Sequence, residues 1–253
     1  MNAVEPSVLI PAGKHKLFFK ELRDPNTTQG KAIQAEAFER VVEVPAFYLD
    51  RFPITLREFN HFLIANPQYQ KSRIFSLFAE PRYLQSWSGN LLSDAELRSM
   101  GTKPVTEVSW FVARKYCHAQ GKRLPTIVEW EYAGDVSNPE VLEQLLVWYG
   151  KTGDRPLDSV GQQKPNRFGL HDMHGLIWEW VEDFNSVMIA SDSRSKGDRT
   201  EGFYCGAGSI NANDAREYAT FMRFGFRSGL RGDYCIKTLG FRCASDLPKG
   251  ITK

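Results

Sequence analysis

Residues 165–183 read Pro-Asn-Arg-Phe-Gly-Leu-His-Asp-Met-His-Gly-Leu-Ile-Trp-Glu-Trp-Val-Glu-Asp. Turn-forming residues open this stretch, and Gly169 and Gly175 are positions where the backbone can adopt a positive φ. Large apolar residues then alternate with Glu179 over residues 177–181, a pattern typical of a half-buried strand. The stretch therefore predicts an ordered, glycine-bounded loop that runs directly into a short strand.

Two acidic residues flank the second glycine of this loop. Asp172 precedes Gly175 and Glu179 follows it, so both carboxylates can converge with main-chain carbonyl groups. Several oxygen ligands, some of them from the main chain, are what a hard cation such as Ca²⁺ requires. Loops rich in glycine and acidic residues are also common without any ion. Two interpretations therefore stay open, a calcium-binding loop and a structural loop anchored by its tryptophans.

The composition is that of an ordinary globular protein. The 253 residues, 42% hydrophobic and 25% charged, suffice for one substantial domain or two small ones. A formal net charge of +2, without a dense run of Lys and Arg, argues against a nucleic-acid partner. No apolar run approaches the length that spans a bilayer, so we expect no membrane partner.

The sequence leaves the compartment open. Residues 1–8 are largely polar and do not resemble a signal peptide. We therefore expect a cytoplasmic protein, or a periplasmic or secreted one if a signal was removed. The four cysteines, Cys117, Cys205, Cys235 and Cys243, lack the spacing of a zinc knuckle. Disulfides and buried free thiols are both compatible with them.

Capping patterns mark several helix starts. A Ser or Thr followed three residues later by Glu is the capping-box spacing, and it occurs at Thr55, Ser93 and Thr126. Ser109 and Gly121 predict the ends of a further helix over residues 110–120. Another short helix could occupy residues 138–149.

The remaining segments predict strands and loops. Stretches over residues 7–19 and 41–50 favour strands, and pieces between residues 205 and 244 are also strand-like. Two or three helices among many short strands and long loops indicate an α+β fold. We expect a single domain over residues 1–253, with insertions at 66–104 and 185–203.

Three segments in register carry a family resemblance. They are Lys-Pro-Val-Thr-Glu-Val-Ser-Trp (103–110) running into Gly-Lys-Arg-Leu-Pro-Thr-Ile-Val-Glu-Trp-Glu-Tyr (121–132), the central residues 166–180, and Leu-Gly-Phe-Arg-Cys-Ala (239–244). Together they resemble the formylglycine-generating-enzyme, or sulfatase-modifying-factor, domain family. That family includes ergothioneine-synthase, pyoverdine-maturation and nitrite-reductase-associated relatives. The likeness spans roughly residues 7–246 and implies a variant C-type-lectin-like fold with much irregular structure.

The resemblance also implies a ligand set for calcium as a cofactor. In calcium-binding members the equivalent turn supplies a side-chain oxygen, two main-chain carbonyls and a glutamate. These positions fall on Asp172, Gly175, Ile177 and Glu179. Asp172 stands where the family usually has Asn, which adds charge. The resemblance therefore favours the calcium interpretation of the loop over the purely structural one.

Cysteine pairing is a further implication of the resemblance. Family members often join the cysteine of the second helix to that of the final Gly-Phe-Arg-Cys segment. Here these are Cys117 and Cys243, and we predict a disulfide between them. A pairing of Cys205 with Cys235 is a weaker inference, by elimination.

The cysteines that formylglycine generators use are missing. Those enzymes hold copper(I) with two cysteines shortly after a Gly-Gly-Ser motif, because thiolates are the ligands that Cu(I) selects. Residues 206–209 of this chain, Gly-Ala-Gly-Ser, match that motif, but residues 210–219 contain no cysteine. Formylglycine-generating oxidase activity is therefore not expected.

Two further groups of polar residues are candidates for a site. His171 and His174 have His-x-x-His spacing, which invites a transition-metal role, with packing as the alternative. A ligand cleft is the second candidate, with an Arg-Ser pair that resembles the one lining the family's substrate cleft. Its predicted residues are Ser209, Asn211, Arg227 and Ser228. The alternative is a solvated helix turn with paired charges.

The tryptophans are more often core residues than ligand platforms. Trp130, Trp178 and Trp180 are predicted to lie in the core, whereas Trp87 and Trp148 could be exposed. Ser209 has no evident His–Asp relay, which argues against a serine hydrolase.

We expect a catalytically divergent family member whose cleft binds a peptide, a metabolite or a partner protein. The alternative is an enzyme of different mechanism in oxidative maturation, similar to the pyoverdine-associated relatives. A third interpretation is an accessory protein of a copper nitrite reductase system.

Overall fold

The computed structural model describes residues 6–23, 36–136, 139–150, 156–185 and 215–248. The strands in these ranges are β1 (Ser7–Ile10), β2 (Gly13–Arg23), β3 (Glu36–Val44), β4 (Phe47–Asp50), β5 (Trp178–Glu179), β6 (Leu239–Gly240) and β7 (Ala244–Asp246). The helices are α1 (Leu56–Ala65), α2 (Asp94–Met100), α3 (Trp110–Ala119), α4 (Ile127–Gly134), α5 (Pro139–Tyr149) and α6 (Ala215–Ser228), with a 3₁₀ turn at Pro67–Tyr69. The predicted α+β class is confirmed. The described residues hold six α-helices, whereas two or three were expected.

The strands form three small sheets. β1, β4 and β7 make an antiparallel sheet with β4 in the centre. β2 and β3 form an antiparallel pair. β5 and β6 form a parallel pair that joins Trp178 to Leu239 and Glu179 to Gly240. This last pairing brings the central loop against the segment 239–246, which sets the geometry of the site described below.

The predicted helix starts are confirmed. Thr55, Ser93 and Thr126 each accept a hydrogen bond from the main-chain N–H three residues later, and the glutamate at that position bonds back. Ser109 caps α3 in the same way, without the reciprocal bond. Gly121 follows α3 with a φ of +68°, as expected of a residue that ends a helix.

Two expectations about regular structure were wrong. The strand predicted over residues 41–50 is interrupted, because β3 ends at Val44 and β4 begins at Phe47. Pro45, which has no N–H to donate, stands in the gap. The strand-like pieces expected after residue 205 include, among the described residues, the helix α6 of 14 residues.

The core draws on distant parts of the chain. Phe59 of α1 is fully buried, and its ring centroid lies 5.8 Å from that of Tyr116 and 6.3 Å from that of Phe241. The segment 66–104, predicted as an insertion, also adds to the core. Its Trp87 is buried, so the expectation that it could be exposed was wrong.

A buried disulfide joins Cys117 of α3 to Cys243, with 5.5 Å between the Cα atoms. The predicted pairing is thereby confirmed. The bridge spans a sequence separation of 126 residues. In the chain-entropy model a loop of this size stabilises the fold by about 4–5 kcal/mol.

Candidate ligand cleft

Asn166 organises the start of the central loop. Its side-chain oxygen accepts hydrogen bonds from the N–H groups of Phe168 (3.0 Å) and Leu170 (3.2 Å). Its side-chain nitrogen donates to the carbonyl of Ala133 at the end of α4, at 2.7 Å. Gly169 lies between these contacts with a φ of +82°. The predicted ordered loop is confirmed, and one amide side chain ties it to α4.

The middle of the loop needs unusual backbone geometry. Asp172 has a φ of +55°, and its carboxylate accepts a hydrogen bond from the N–H of Gly161. Burial raises the pKa of Asp172, although hydrogen bonds oppose this. Gly175 has a φ of +86°, and a Cβ there would lie 3.0 Å from a side-chain nitrogen of Gln163. The positive φ and the close approach of Gln163 both favour glycine at position 175.

Glu179 forms a fully buried ion pair with Arg242. The guanidinium donates from Nε to both carboxylate oxygens, at 3.1 and 2.8 Å, and from Nη2 to Oε1 at 2.8 Å. Trp130 Nε1 donates to Oε2 at 2.7 Å. Both side chains of the pair have an exposed fraction of 0%. Every Glu179 oxygen is therefore engaged by protein donors.

The same guanidinium binds three main-chain carbonyls. Arg242 donates to the carbonyl oxygens of Asp50 (3.1 Å), Arg51 (3.3 Å) and His171 (2.9 Å). A carboxylate together with several carbonyl oxygens is the kind of ligand set that a hard cation takes. Here the positively charged group that these oxygens bind is the guanidinium of Arg242.

The predicted calcium ligands do not fit an ion in this arrangement. Glu179 is committed to Arg242 and Trp130, so its carboxylate has no oxygen left to share. Asp172 already bonds Gly161. Gly175 and Ile177 lie in the same loop, but two main-chain carbonyls are too few, because Ca²⁺ usually binds about 6–8 oxygen ligands. The calcium that the resemblance implies is thus untested, and the contacts of Glu179 argue against it.

His171 and His174 bind different carbonyl groups. A ring nitrogen of His171 lies 2.8 Å from the carbonyl of Gln163, and one of His174 lies 2.5 Å from that of Gly134. Burial lowers the pKa of His174 to about 3, which keeps the ring neutral. Among the described ranges, no group of three His, Cys, Asp or Glu residues could hold a metal ion. These contacts favour the packing alternative.

A small cavity lies between the end of the loop, α4, α5 and α6. Its volume is about 10 Å³, room for roughly one water molecule. Aromatic, apolar and charged side chains line it together. The lining residues are Trp130, Leu145, Trp148, Tyr149, Met173, His174, Gly175, Ile177, Trp178, Glu179, Arg223 and Arg227.

A stack of aromatic rings forms one wall of the cavity. Trp178 stacks on Tyr149, with 5.3 Å between ring centroids and 5° between planes, and on Phe226 at 4.2 Å and 18°. The ring centroid of Trp148 lies 4.9 Å from that of Trp178. Trp178 is half-buried rather than fully in the core, which corrects its predicted placement. The wall combines the loop with two helices that are distant in sequence.

A buried ionic cluster lies beside this wall. Arg223 donates to both oxygens of Glu131, at 2.6 to 3.0 Å, and Arg227 donates to Oε1 at 2.7 Å. All three side chains have exposed fractions of 4%. Burial alone would raise the pKa of Glu131, but the two guanidinium groups outweigh it and hold that pKa at about 2. Glu131 is therefore ionised at neutral pH.

The two arginines are not equally satisfied. Arg223 also donates to the hydroxyls of Thr220 (3.0 Å) and Tyr149 (3.4 Å). Arg227 uses a single nitrogen, Nη1, in its bond to Glu131 and makes no other hydrogen bond with the described residues. Its guanidinium lies 4.6 Å from the ring centroid of Trp130. Arg227 thus has further donors at the cavity that no described residue engages.

The four predicted cleft residues have different outcomes. Arg227 lines the cavity. Ser228 follows it on α6, but its hydroxyl donates to the carbonyl of Gly225 at 2.9 Å and it does not line the cavity. Ser209 and Asn211 lie outside the described residues. Glu131, Arg223 and Tyr149 also belong to the site, although no sequence pattern predicted them.

The cysteine next to the core is a thiol. Cys235 is free and buried, and burial raises its pKa to about 12. The weaker predicted pairing of Cys205 with Cys235 is therefore wrong, and Cys205 itself lies outside the described residues.

Comparison with known proteins agrees with the sequence motifs. Residues 1–247 match the family model of the sulfatase-modifying factor enzyme 1-like domain. The formylglycine-generating enzyme of Mus musculus is 28% identical over 298 residues, which cover 96% of this chain and 76% of that protein. The inactive C-alpha-formylglycine-generating enzyme 2 of Bos taurus is 29% identical over 259 residues, or 81% of this chain and 79% of that protein.

A solved structure shares the fold. PvdO from Pseudomonas aeruginosa superposes with a TM-score of 0.51 at 20% identity, covering 95% of this chain and 94% of that one. The variant C-type-lectin-like fold that the resemblance implied is thereby confirmed. None of the helices in the described ranges has the length and apolar character needed to cross a membrane.

Proposed function

We propose, since this chain belongs to the sulfatase-modifying factor enzyme 1-like domain family, that it is a divergent member whose cleft binds a ligand without copper-thiolate chemistry. The ligand is a peptide, a small metabolite or a segment of a partner protein. The proposed binding surface comprises Arg227 and the aromatic wall around Trp178, and the cavity beside them, with room for about one water molecule, would take only a small part of such a ligand.

The distribution of the cysteines carries this proposal. The chain has four, and Cys117 and Cys243 are spent in the disulfide. Cys235 is 1% exposed and lies in the hydrophobic core, so its sulfur is not available as a ligand in a copper site open to substrate. Only Cys205 is then left, and a two-thiolate copper site needs a pair. The motif at residues 206–209, with no cysteine in residues 210–219, supports the same conclusion.

The relatives do not decide between activity and its absence. A relative named as a formylglycine-generating enzyme is 28% identical, and one named as inactive is 29% identical. One fold hosts many functions, so the decision rests on the site itself.

The chemistry of the cavity supports ligand binding. Ligand sites are concave and mostly apolar, with a few polar groups that fix orientation. Here the aromatic wall around Trp178 supplies the apolar surface, and Arg227 supplies hydrogen-bond donors that no residue in the described ranges engages. A half-buried stack of this kind offers planar contact area at little cost in side-chain entropy.

The disulfide also bears on the compartment. Disulfides persist where the surroundings are oxidising and are rare in the cytosol. The bond between Cys117 and Cys243 supports a periplasmic or secreted location over a cytoplasmic one.

Copper(I) titration against a competing chelator tests the proposal. The purified protein should show no stoichiometric Cu(I) binding and should not oxidise a cysteine-containing peptide in the presence of copper and oxygen. Cys235→Ser is the matched control, and it should behave as the parent protein does. Tight one-to-one Cu(I) binding that Cys235→Ser abolishes, together with peptide oxidation, would establish the enzyme alternative instead.

A further inference from the structure

We propose that the turn over residues 75–78 is a contact site for an anionic lipid surface. Three exposed apolar side chains, Phe75, Leu77 and Phe78, make up this apolar turn. The proposal is independent of the ligand cleft. It departs from the expectation of no membrane partner, because that expectation rested only on the length of apolar runs, and a surface contact needs no spanning segment.

The apolar turn concentrates exposed hydrophobic surface in one place. Phe75 is 64% exposed, Leu77 67% and Phe78 40%. The ring centroid of Phe78 lies 6.1 Å from that of Phe75 and 5.7 Å from that of Phe111, a half-buried residue of α3. Single exposed apolar side chains are normal on a protein surface, whereas a contiguous group of them marks a contact site.

Hydrogen bonds fix the main chain on both sides of the apolar turn. The turn itself is closed by a bond of 2.9 Å from the N–H of its last residue to the carbonyl of its first. Before it, the N–H of Ser72 donates to the side chain of Asn90 at 2.8 Å. After it, the N–H of Glu80 donates to the carbonyl of Asp233 at 2.9 Å. A contact made by the apolar turn therefore costs little main-chain entropy.

Basic side chains flank the apolar turn. Arg73 and Arg82 are exposed, and neither side chain forms an ion pair or a hydrogen bond with a described residue. Lys115 is exposed and lies one helical turn after Phe111, on the same side of α3. Each basic side chain close to an anionic lipid surface strengthens binding by about fivefold. The turn therefore combines the two attractions that hold a protein on such a surface.

The acidic residues next to the apolar turn have other partners. The carboxylate of Glu80 accepts a hydrogen bond from the N–H of Cys235 at 2.8 Å, and that of Asp233 pairs with Arg231 at 2.8 Å. Neither pairs with the arginines that flank the turn. A symmetric contact between two copies of this chain would bring those arginines to both sides of the interface. Anionic headgroups supply the opposite charge, and a lipid surface accepts protruding side chains without a groove shaped for them.

Vesicle flotation tests the proposal. The purified protein is mixed with vesicles of phosphatidylcholine alone, or of phosphatidylcholine with one third phosphatidylglycerol. It should float with the anionic vesicles and bind the neutral ones at least about tenfold more weakly, and added salt should weaken the binding. Phe75→Trp reports on the turn itself, because brominated lipids should quench its fluorescence beyond the quenching seen in the parent protein.

Substitutions on the apolar turn locate the hydrophobic part of the contact. The double variant Phe75→Ser with Leu77→Ser should bind the anionic vesicles at least about tenfold more weakly, because the apolar area that enters the lipid is lost. Both side chains are largely exposed, so the melting temperature should stay unchanged. Leu9→Ser, which removes an exposed leucine of β1, is the matched control and should bind as the parent protein does.

Substitutions of the flanking arginines locate the electrostatic part. Arg73→Gln and Arg82→Gln should each weaken binding by about fivefold and reduce its dependence on salt. Arg98→Gln removes an exposed arginine of α2 and is the matched control. It should change binding by less than about twofold.

Three results would overturn the proposal. The first is no binding of the parent protein to anionic vesicles, and the second is equal binding by the double variant and the parent protein. The third is self-association of the parent protein, measured by light scattering, that the double variant abolishes while vesicle binding is absent. That result would assign the apolar turn to an interface between two copies of the chain. Copper binding and ligand binding in the cleft are not affected by any of these outcomes.

Discussion

The buried guanidinium of Arg242 donates hydrogen bonds to the carboxylate of Glu179 and to three main-chain carbonyl groups. The two residues are 63 positions apart in sequence. Their bond fastens the central loop to β4 and to the segment before β7. One side chain therefore does the cross-linking that an ion would otherwise do.

Replacing Arg242 should strongly destabilise the protein. Arg242→Leu would leave the carboxyl group of Glu179 fully buried, without its ion-pair partner and bonded only to Trp130 among the described side chains. Breaking a buried pair in this way costs about 3–5 kcal/mol. Chemical denaturation measures the loss, and Arg231→Leu, at an exposed pair, should change stability by less than about 0.5 kcal/mol. Similar losses for both variants would contradict the central role of Arg242.

Calcium should not stabilise the protein. Because Arg242 already occupies Glu179, added Ca²⁺ or EDTA should shift the melting temperature by less than about 1 °C, well below the shift that mass action gives for a tight structural ion. A rise of several degrees with Ca²⁺, lost in Glu179→Gln, would restore the calcium site that the resemblance implies. Elemental analysis of the purified protein is the independent check.

Acid should destabilise the fold through Glu131. Its pKa is held at about 2 in the folded state against an ordinary value of 4.5, so its ionised form stabilises the fold above pH 4.5. This contribution, about 3 kcal/mol, is lost as the pH falls from about 4.5 towards 2. Urea unfolding across that range measures it. Glu131→Gln should be less stable at neutral pH and should show a shallower loss below about pH 4.5; parallel curves for the two proteins would refute the assignment.

Two thiols should react under denaturing conditions. Cys117 and Cys243 are bridged, which leaves Cys205 and Cys235 as the reactive pair. Cys235 should react slowly in the native protein, because it is buried and protonated. Reduction of the bridge should lower the free energy of unfolding by about 4 kcal/mol. Four reactive thiols without a reductant would show that the bridge does not form.

Local sequence signals located much of the fold. The capping boxes at Thr55, Ser93 and Thr126 act within one helical turn, so they could be identified without tertiary information. The disulfide came from the family motif, since nothing local links Cys117 to Cys243.

The helix α6 was missed for a physical reason. Its residues 221–226 include three phenylalanines and a glycine, which favour strands or turns over helices. The helix places Arg223 and Arg227 one turn apart on one face, where both contact Glu131. That contact crosses more than ninety residues of sequence, 92 from Arg223. Tertiary contacts of this range overrode the local preference for strands or turns. Because the site depends on the same long-range contacts, local sequence patterns could not predict it.

The order of the segments along the chain has a consequence for biosynthesis. Residues 239–246 supply the partner of β5, the counter-ion of Glu179, the second half of the disulfide and an edge strand beside β4. All of these partners are synthesised earlier. In a nascent chain, one edge of β4 and the carboxylate of Glu179 have no partner until this segment has been synthesised. Exposed strand edges of that kind are prone to aggregation. The protein should therefore complete this part of its core only after residues 239–246 have been synthesised.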